Sequence, residues 1–215
     1  MRFIASCLSV MALLVSVIFV APEFYTYLRG QSNALSFYTE PDSALAKPPL
    51  SLEGQYTALL TCEAALQTRS RRFMPPERRE IVASQCQDLA QAILSRAPSL
   101  SAAHLVQALV LRELGDDAGV LQAVQRSEQT GGDLIWMAER RFSLTLPYWE
   151  SLTQDLQAVF ARDIARLAQS NLGRSILARQ YDRNPELRPV LIAAVETLPD
   201  TTQRQFLSAV RRVSQ

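Results

Sequence analysis

The chain has 215 residues, 48% of them hydrophobic, with 22 basic side chains against 21 acidic ones and a formal net charge of +1. So even a balance creates no large electrostatic field, and nucleic acid is not an expected partner. The single histidine, His104, removes any metal site that needs two imidazoles and any catalytic pair built on a second one.

The stretch from Phe3 to Ala21 contains neither charge nor proline. As a helix at ~1.5 Å per residue it spans about 28 Å, close to the hydrocarbon thickness of a bilayer. Cleavage after Ala21 would place bulky Phe19 three residues before the scissile bond and Pro22 just after it, a poor signal-peptidase site. Cys7 lies at the start of the apolar run, where it reads as a small membrane residue. Phe24, Tyr25, Tyr27 and Arg29 supply the amphipathic rings and snorkelling cation of a helix leaving the hydrocarbon. Arg2 precedes the run while Glu23, Glu40 and Asp42 follow it, so the positive-inside rule keeps the amino terminus in the cytoplasm. The expectation is an uncleaved, single-pass signal anchor over residues 1–29 in a bacterial inner membrane, with the remainder in the periplasm.

Residues 30–50, with Gln-Ser-Asn, Glu-Pro-Asp-Ser and Lys-Pro-Pro and weak hydrophobic periodicity, read as a linker. Residues 51–215 should form one helical domain, with hairpins over 51–132 and further helices over 133–215. A first helix is expected from Leu52 to Thr68, with Ser51 and Gly54 near its start, and a second from Pro76 to Arg96, opened by Pro75-Pro76 and stopped by Pro98. Each carries one cysteine, Cys62 and Cys86. In an oxidising periplasm these can form a disulfide, and the alternative is two separately buried thiols.

Between the two helices Arg69, Arg71, Arg72, Arg78 and Arg79 form the one dense basic patch. It reads either as a solvated loop or as a contact for anionic lipid or an acidic polysaccharide. Lys47 is the only lysine in the chain; the preference for arginine reads as codon bias of a GC-rich genome, or as a use of its planar fork for carboxylate or phosphate.

From Ser101 to Val124 the residue pattern resembles a tetratricopeptide repeat. Ala103 and Ala108 stand at its small helix-A positions, Leu111 at the large apolar one, and Gly115-Asp116 at the turn. His104 stands where the family has an aromatic residue, Gln107 replaces a leucine, Val120 an alanine, and Gly132 the closing proline. The resemblance covers about 35 residues. It implies α-hairpins that stack and bind other proteins, with His104, Gln107 and Leu111 as candidate groove residues.

Beyond it, a short helix is expected after Asp133 as N-cap, broken by Pro147, and then an amphipathic helix opened by a Ser151–Gln154 capping box and stopped at Asn171–Gly173. Helices over 174–181, 185–197 and 200–213 complete the chain. Trp136, Tyr148 and Trp149 flank Pro147 and read as core anchors or as an exposed ledge for a peptide or glycan.

Asp116, Asp117, Asp155 and Asp163 are carboxylates available for acid–base chemistry, yet nothing in their spacing fixes a cleft, and there is no phosphate loop, nucleophile elbow or metal-ligand spacing. The expectation is therefore a non-enzyme without cofactor or metal: an all-α, membrane-anchored periplasmic scaffold or adaptor whose partners are proteins of an envelope complex. The rival reading is an accessory factor of surface-polysaccharide synthesis or export.

Overall fold

The computed structural model describes residues 11–13, 15–18, 20–21 and 48–214. Every regular element among them is helical, which agrees with the all-α expectation. The described positions between 11 and 21 are helical too. The rest of the expected anchor, the aromatic flank from Phe24 to Arg29 and nearly all of the linker lie outside the described residues. Among the described residues no helix is long and apolar enough to cross a membrane.

The chain divides into two compact units, Met1–Pro98 and Ser99–Gln215. In the first, α1 (Leu52–Gln67) begins at Ser51, whose side chain accepts the Gly54 N–H at 3.0 Å, satisfying a donor that helix geometry leaves orphaned. A 3-10 turn, Arg69–Phe73, leads to α2 (Pro76–Leu94), with Pro76 at the first helical position where its missing N–H costs nothing. Ala58, Leu59, Cys62, Ala65 and Leu66 of α1 are buried, as are Val82, Ala83, Cys86, Leu89, Ala90 and Ile93 of α2. Cys62 and Cys86 are joined as a disulfide with their Cα atoms 5.7 Å apart. The bond staples the hairpin at mid-helix, and closing a loop of 24 residues stabilises by roughly 3 kcal/mol in the chain-entropy picture.

The second unit begins with a tight hairpin of α3 (Ser101–Leu114) and α4 (Asp117–Gly131). Its turn is where the sequence places it. Gly115 ends α3 in the left-handed region at φ +77°, the one such residue among those described, and Asp116 caps α4 by accepting the Gly119 N–H at 2.9 Å. The far end of the hairpin is just as close. The Ser101 hydroxyl lies 2.7 Å from the Ser127 carbonyl and 2.8 Å from its hydroxyl, and a Cβ added at Gly131 would fall 2.5 Å from the Ser101 Cβ.

Next come α5 (Ile135–Thr145), a 3-10 turn (Leu146–Ser151), α6 (Gln154–Ala168), α7 (Asn171–Arg183), a 3-10 turn (Pro185–Leu187), α8 (Arg188–Glu196) and α9 (Asp200–Val213). Helix α6 packs against α5, α7 and α8, and α7 packs against α9. Phe142, Phe160, Leu167, Leu177, Leu191 and Phe206 are central to the shared core. Phe142 and Phe160 stack with ring centroids 5.2 Å apart, and each contributes about 1.5–3 kcal/mol of apolar burial.

Three expected boundaries differ. Leu134, not Asp133, is the N-cap of α5, and Asp133 instead pairs with Arg166. Thr153 is the N-cap of α6 without a side-chain bond, while the Ser151 hydroxyl donates to the Tyr148 carbonyl, so no capping box forms. Asn171–Gly173 opens α7 instead of stopping α6. Ser170 caps it by accepting the Gly173 N–H at 2.9 Å, and a glycine is required because a Cβ there would lie 2.2 Å from the Leu167 carbonyl oxygen.

Candidate functional site: an apolar groove on a pinned helix

A depression of about 680 Å³ in the second unit runs between α6 and α8, with Trp149 and Leu152 also in its lining. Its two helical walls present small residues, Ala161 and Ala165 from α6 and Ala193 and Ala194 from α8. Ala161 and Ala165 lie four apart, one helical turn, and so share an edge of α6, whereas Ala193 is exposed and its neighbour Ala194 is buried. Phe160 and Val190 add apolar surface, and Glu150 and Arg162 put one charge of each sign in the lining. Arg162 is itself bound by Glu128, Nε to carboxylate at 2.7 Å, which raises its affinity for the proton and fixes its position.

The floor is held from behind. Arg141 of α5 and Asp163 of α6 are 0% and 2% exposed. The Arg141 Nε donates to both carboxylate oxygens at 3.1 and 3.0 Å, and Nη2 donates to Oδ1 at 2.5 Å. Nη1 reaches the Gly131 carbonyl at the end of α4 at 3.3 Å, so one guanidinium ties three helices. Burial nevertheless outweighs the guanidinium and lifts Asp163 from 3.8 to about 6. The neighbouring positions of α6 therefore divide their duties: Asp163 locks the helix inward, and Arg162 faces the groove.

Trp149 is half-buried, packed on the core, and also lines the groove. Tyr148 beside it donates to Asp117 Oδ1 at 2.6 Å, and that hydrogen bond, with burial second, raises the phenol above its ordinary 10.0. Trp136 lies elsewhere, under the Arg140 guanidinium at 4.9 Å from its ring centre.

The candidate repeat groove is placed differently. His104 is buried at 7% exposure; Gln107 and Leu111 are half-buried on the same face of α3. Leu111 approaches Gly119 inside the hairpin, where a Cβ at that glycine would come within 3.1 Å of it. None of the three lines the α6–α8 groove. Of the carboxylates, Asp116 serves as a cap, Asp117 holds Tyr148, and Asp163 holds Arg141. Asp155 lies exposed in the first turn of α6. Among the described residues no group of three or more His, Cys, Asp or Glu side chains is placed to hold a metal ion.

The arginine patch of the first unit surrounds the 3-10 turn and the start of α2. Arg69, Arg72 and Arg78 are exposed, and Arg71 and Arg79 are half-buried. Phe73 stands among them at 88% exposure, a combination the sequence pattern did not single out.

Compared with family models, with curated proteins and with solved structures, the chain matches none.

Proposed function

We propose that the chain is a membrane-anchored helical adaptor that receives an apolar helix of a partner protein in the α6–α8 groove, with its folded units in the periplasm. The observation that carries this reading is the groove's lining. Alanines on both walls leave room for a third helix to approach closely, and Trp149 adds a broad apolar ring to the lining. The Arg141–Asp163 lock supports it, because a docking surface loses less entropy when its supporting helix is already fixed. The resemblance of the Ser101–Val124 sequence to a tetratricopeptide repeat supports the same class of role. The anchor and its orientation rest on the uncharged run and the flanking charges of the amino-terminal sequence.

Two experiments test the proposal. A periplasm-dependent reporter enzyme fused to the carboxyl terminus should be active, and an inactive fusion reverses the topology. Ala165→Arg and Ala193→Arg, which fill the groove from either wall, should abolish co-purification of a defined membrane or periplasmic partner in mild detergent. Unchanged recovery of that partner removes the groove from the account.

A second reading, contact with anionic lipid or acidic polysaccharide, draws on the exposed Phe73 and the exposed Arg69, Arg72 and Arg78 near it in the chain. An apolar side chain left in water beside cations suits an anionic interface, and such a surface is where the envelope-polysaccharide alternative would act. Replacing the five arginines of the patch with glutamine should then weaken liposome or glycan binding, and unchanged binding to both dismisses this reading.

A further inference from the structure

A second pocket in the same unit, about 400 Å³ in volume, has the opposite chemistry. It lies between the start of α7 and one face of α9, lined by Asn171, Arg174, Thr201, Arg204, Gln205, Ser208 and Arg212. Three guanidiniums share it, and its lining contains no carboxylate. Arg174 is only 8% exposed and is held in place: Nη1 donates to the Ala168 carbonyl at 2.8 Å and Nη2 to Asn171 Oδ1 at 2.5 Å. Arg204 and Arg212 are exposed, and among the described residues neither is ion-paired.

Three other arginines of this unit have acids as partners: Asp163 for Arg141, Glu128 for Arg162, Asp133 for Arg166. Here the lining supplies none, so the mutual repulsion of three cations is left for a counter-ion to relieve. Arg204 and Arg212 are eight residues apart, about 12 Å along the helix axis, with Ser208 midway and Thr201 one turn before. Their long side chains can converge on one anionic group, while the remaining volume exceeds what orthophosphate alone would fill. Buried Arg174 supplies a preset cation, and exposed Arg204 and Arg212 supply two more.

We propose that this pocket binds a phosphomonoester, a dianionic phosphate carried on a body about the size of a sugar. Phosphate suits the site better than carboxylate because its three terminal oxygens and double charge match three planar forks and the flanking hydroxyl groups. The same group can be presented by a soluble sugar phosphate or by a phosphatidic acid headgroup. This inference is independent of the α6–α8 groove, which shares no lining residue with it.

The full chain in maltoside micelles, titrated calorimetrically at constant ionic strength, tests it. Glucose 6-phosphate or short-chain phosphatidic acid should bind more tightly than inorganic phosphate, and whichever of the two binds better identifies the source. Arg204→Gln with Arg212→Gln should weaken that binding at least tenfold. Both positions are exposed, so circular dichroism should show an unchanged fold. The proposal is overturned if neither phosphomonoester binds beyond the sodium chloride control, if glucuronate binds equally well, or if the double variant retains the affinity.

Discussion

Arg141 and Asp163 meet in a forked ion pair from which water is shut out, and the same guanidinium also reaches the last carbonyl of α4. Removing one partner strands a buried charge or a buried set of donors. Arg141→Met or Asp163→Ala alone should therefore cost about 3–5 kcal/mol in urea denaturation. Arg141→Met combined with Asp163→Leu should recover much of that loss, because neither charge then needs solvation. A double variant as unstable as the sum of the singles contradicts this account of the pair.

The acid half of the pair also sets a pH dependence. Asp163 titrates at about 6 in the folded protein against 3.8 as its ordinary value, so between those values the folded state holds the extra proton. Its contribution to stability therefore falls as pH rises from about 4 to about 6 and is level above that. Relative to Asp163→Asn, which carries no titrating group, wild-type denaturation midpoints should decline across this window. A relative gain would mean that the guanidinium outweighs burial.

The disulfide makes a separate prediction for the first unit. In unreduced protein, alkylation should leave Cys62 and Cys86 unmodified, and reduction should lower the stability of the α1–α2 hairpin by roughly 3 kcal/mol. Modification of both thiols before reduction, read by mass spectrometry, contradicts the bond.

Gly173→Ala tests the α6–α7 corner. The added methyl would meet the Leu167 carbonyl at 2.2 Å, and backbone cannot swing aside as a flexible side chain can. The expected loss is about 1–3 kcal/mol. By contrast Phe73→Ser, at an 88% exposed position, should stay within about 0.5 kcal/mol of wild type, both measured by urea denaturation.

The local signals explain what could be read in the amino-acid order. Ser51, Pro75-Pro76 and Gly115-Asp116 each act through neighbours a few residues away, so they located the ends of α1, α2 and α3. Asn171–Gly173 misled because a glycine after an apolar helix resembles a stop, whereas this one is needed for a close approach to Leu167 across the corner. Asp163 was legible in principle. It falls on the buried stripe of α6 with Leu156, Val159, Phe160, Ile164 and Leu167, and Arg141 falls on the buried stripe of α5 with Met137, Ala138 and Phe142. Two opposite charges on apolar faces imply each other, but nothing local says that those faces meet. The groove was not legible, because its alanines become a wall only when α6 and α8 lie side by side.

The most direct measurement of the central claim is photo-crosslinking in living cells with benzoylphenylalanine at Ala193, an exposed wall position of the groove. The account predicts a discrete adduct with one envelope protein, mapped to an apolar helix of that protein and lost when Ala165→Arg fills the opposite wall. No adduct, or one that survives Ala165→Arg, contradicts it.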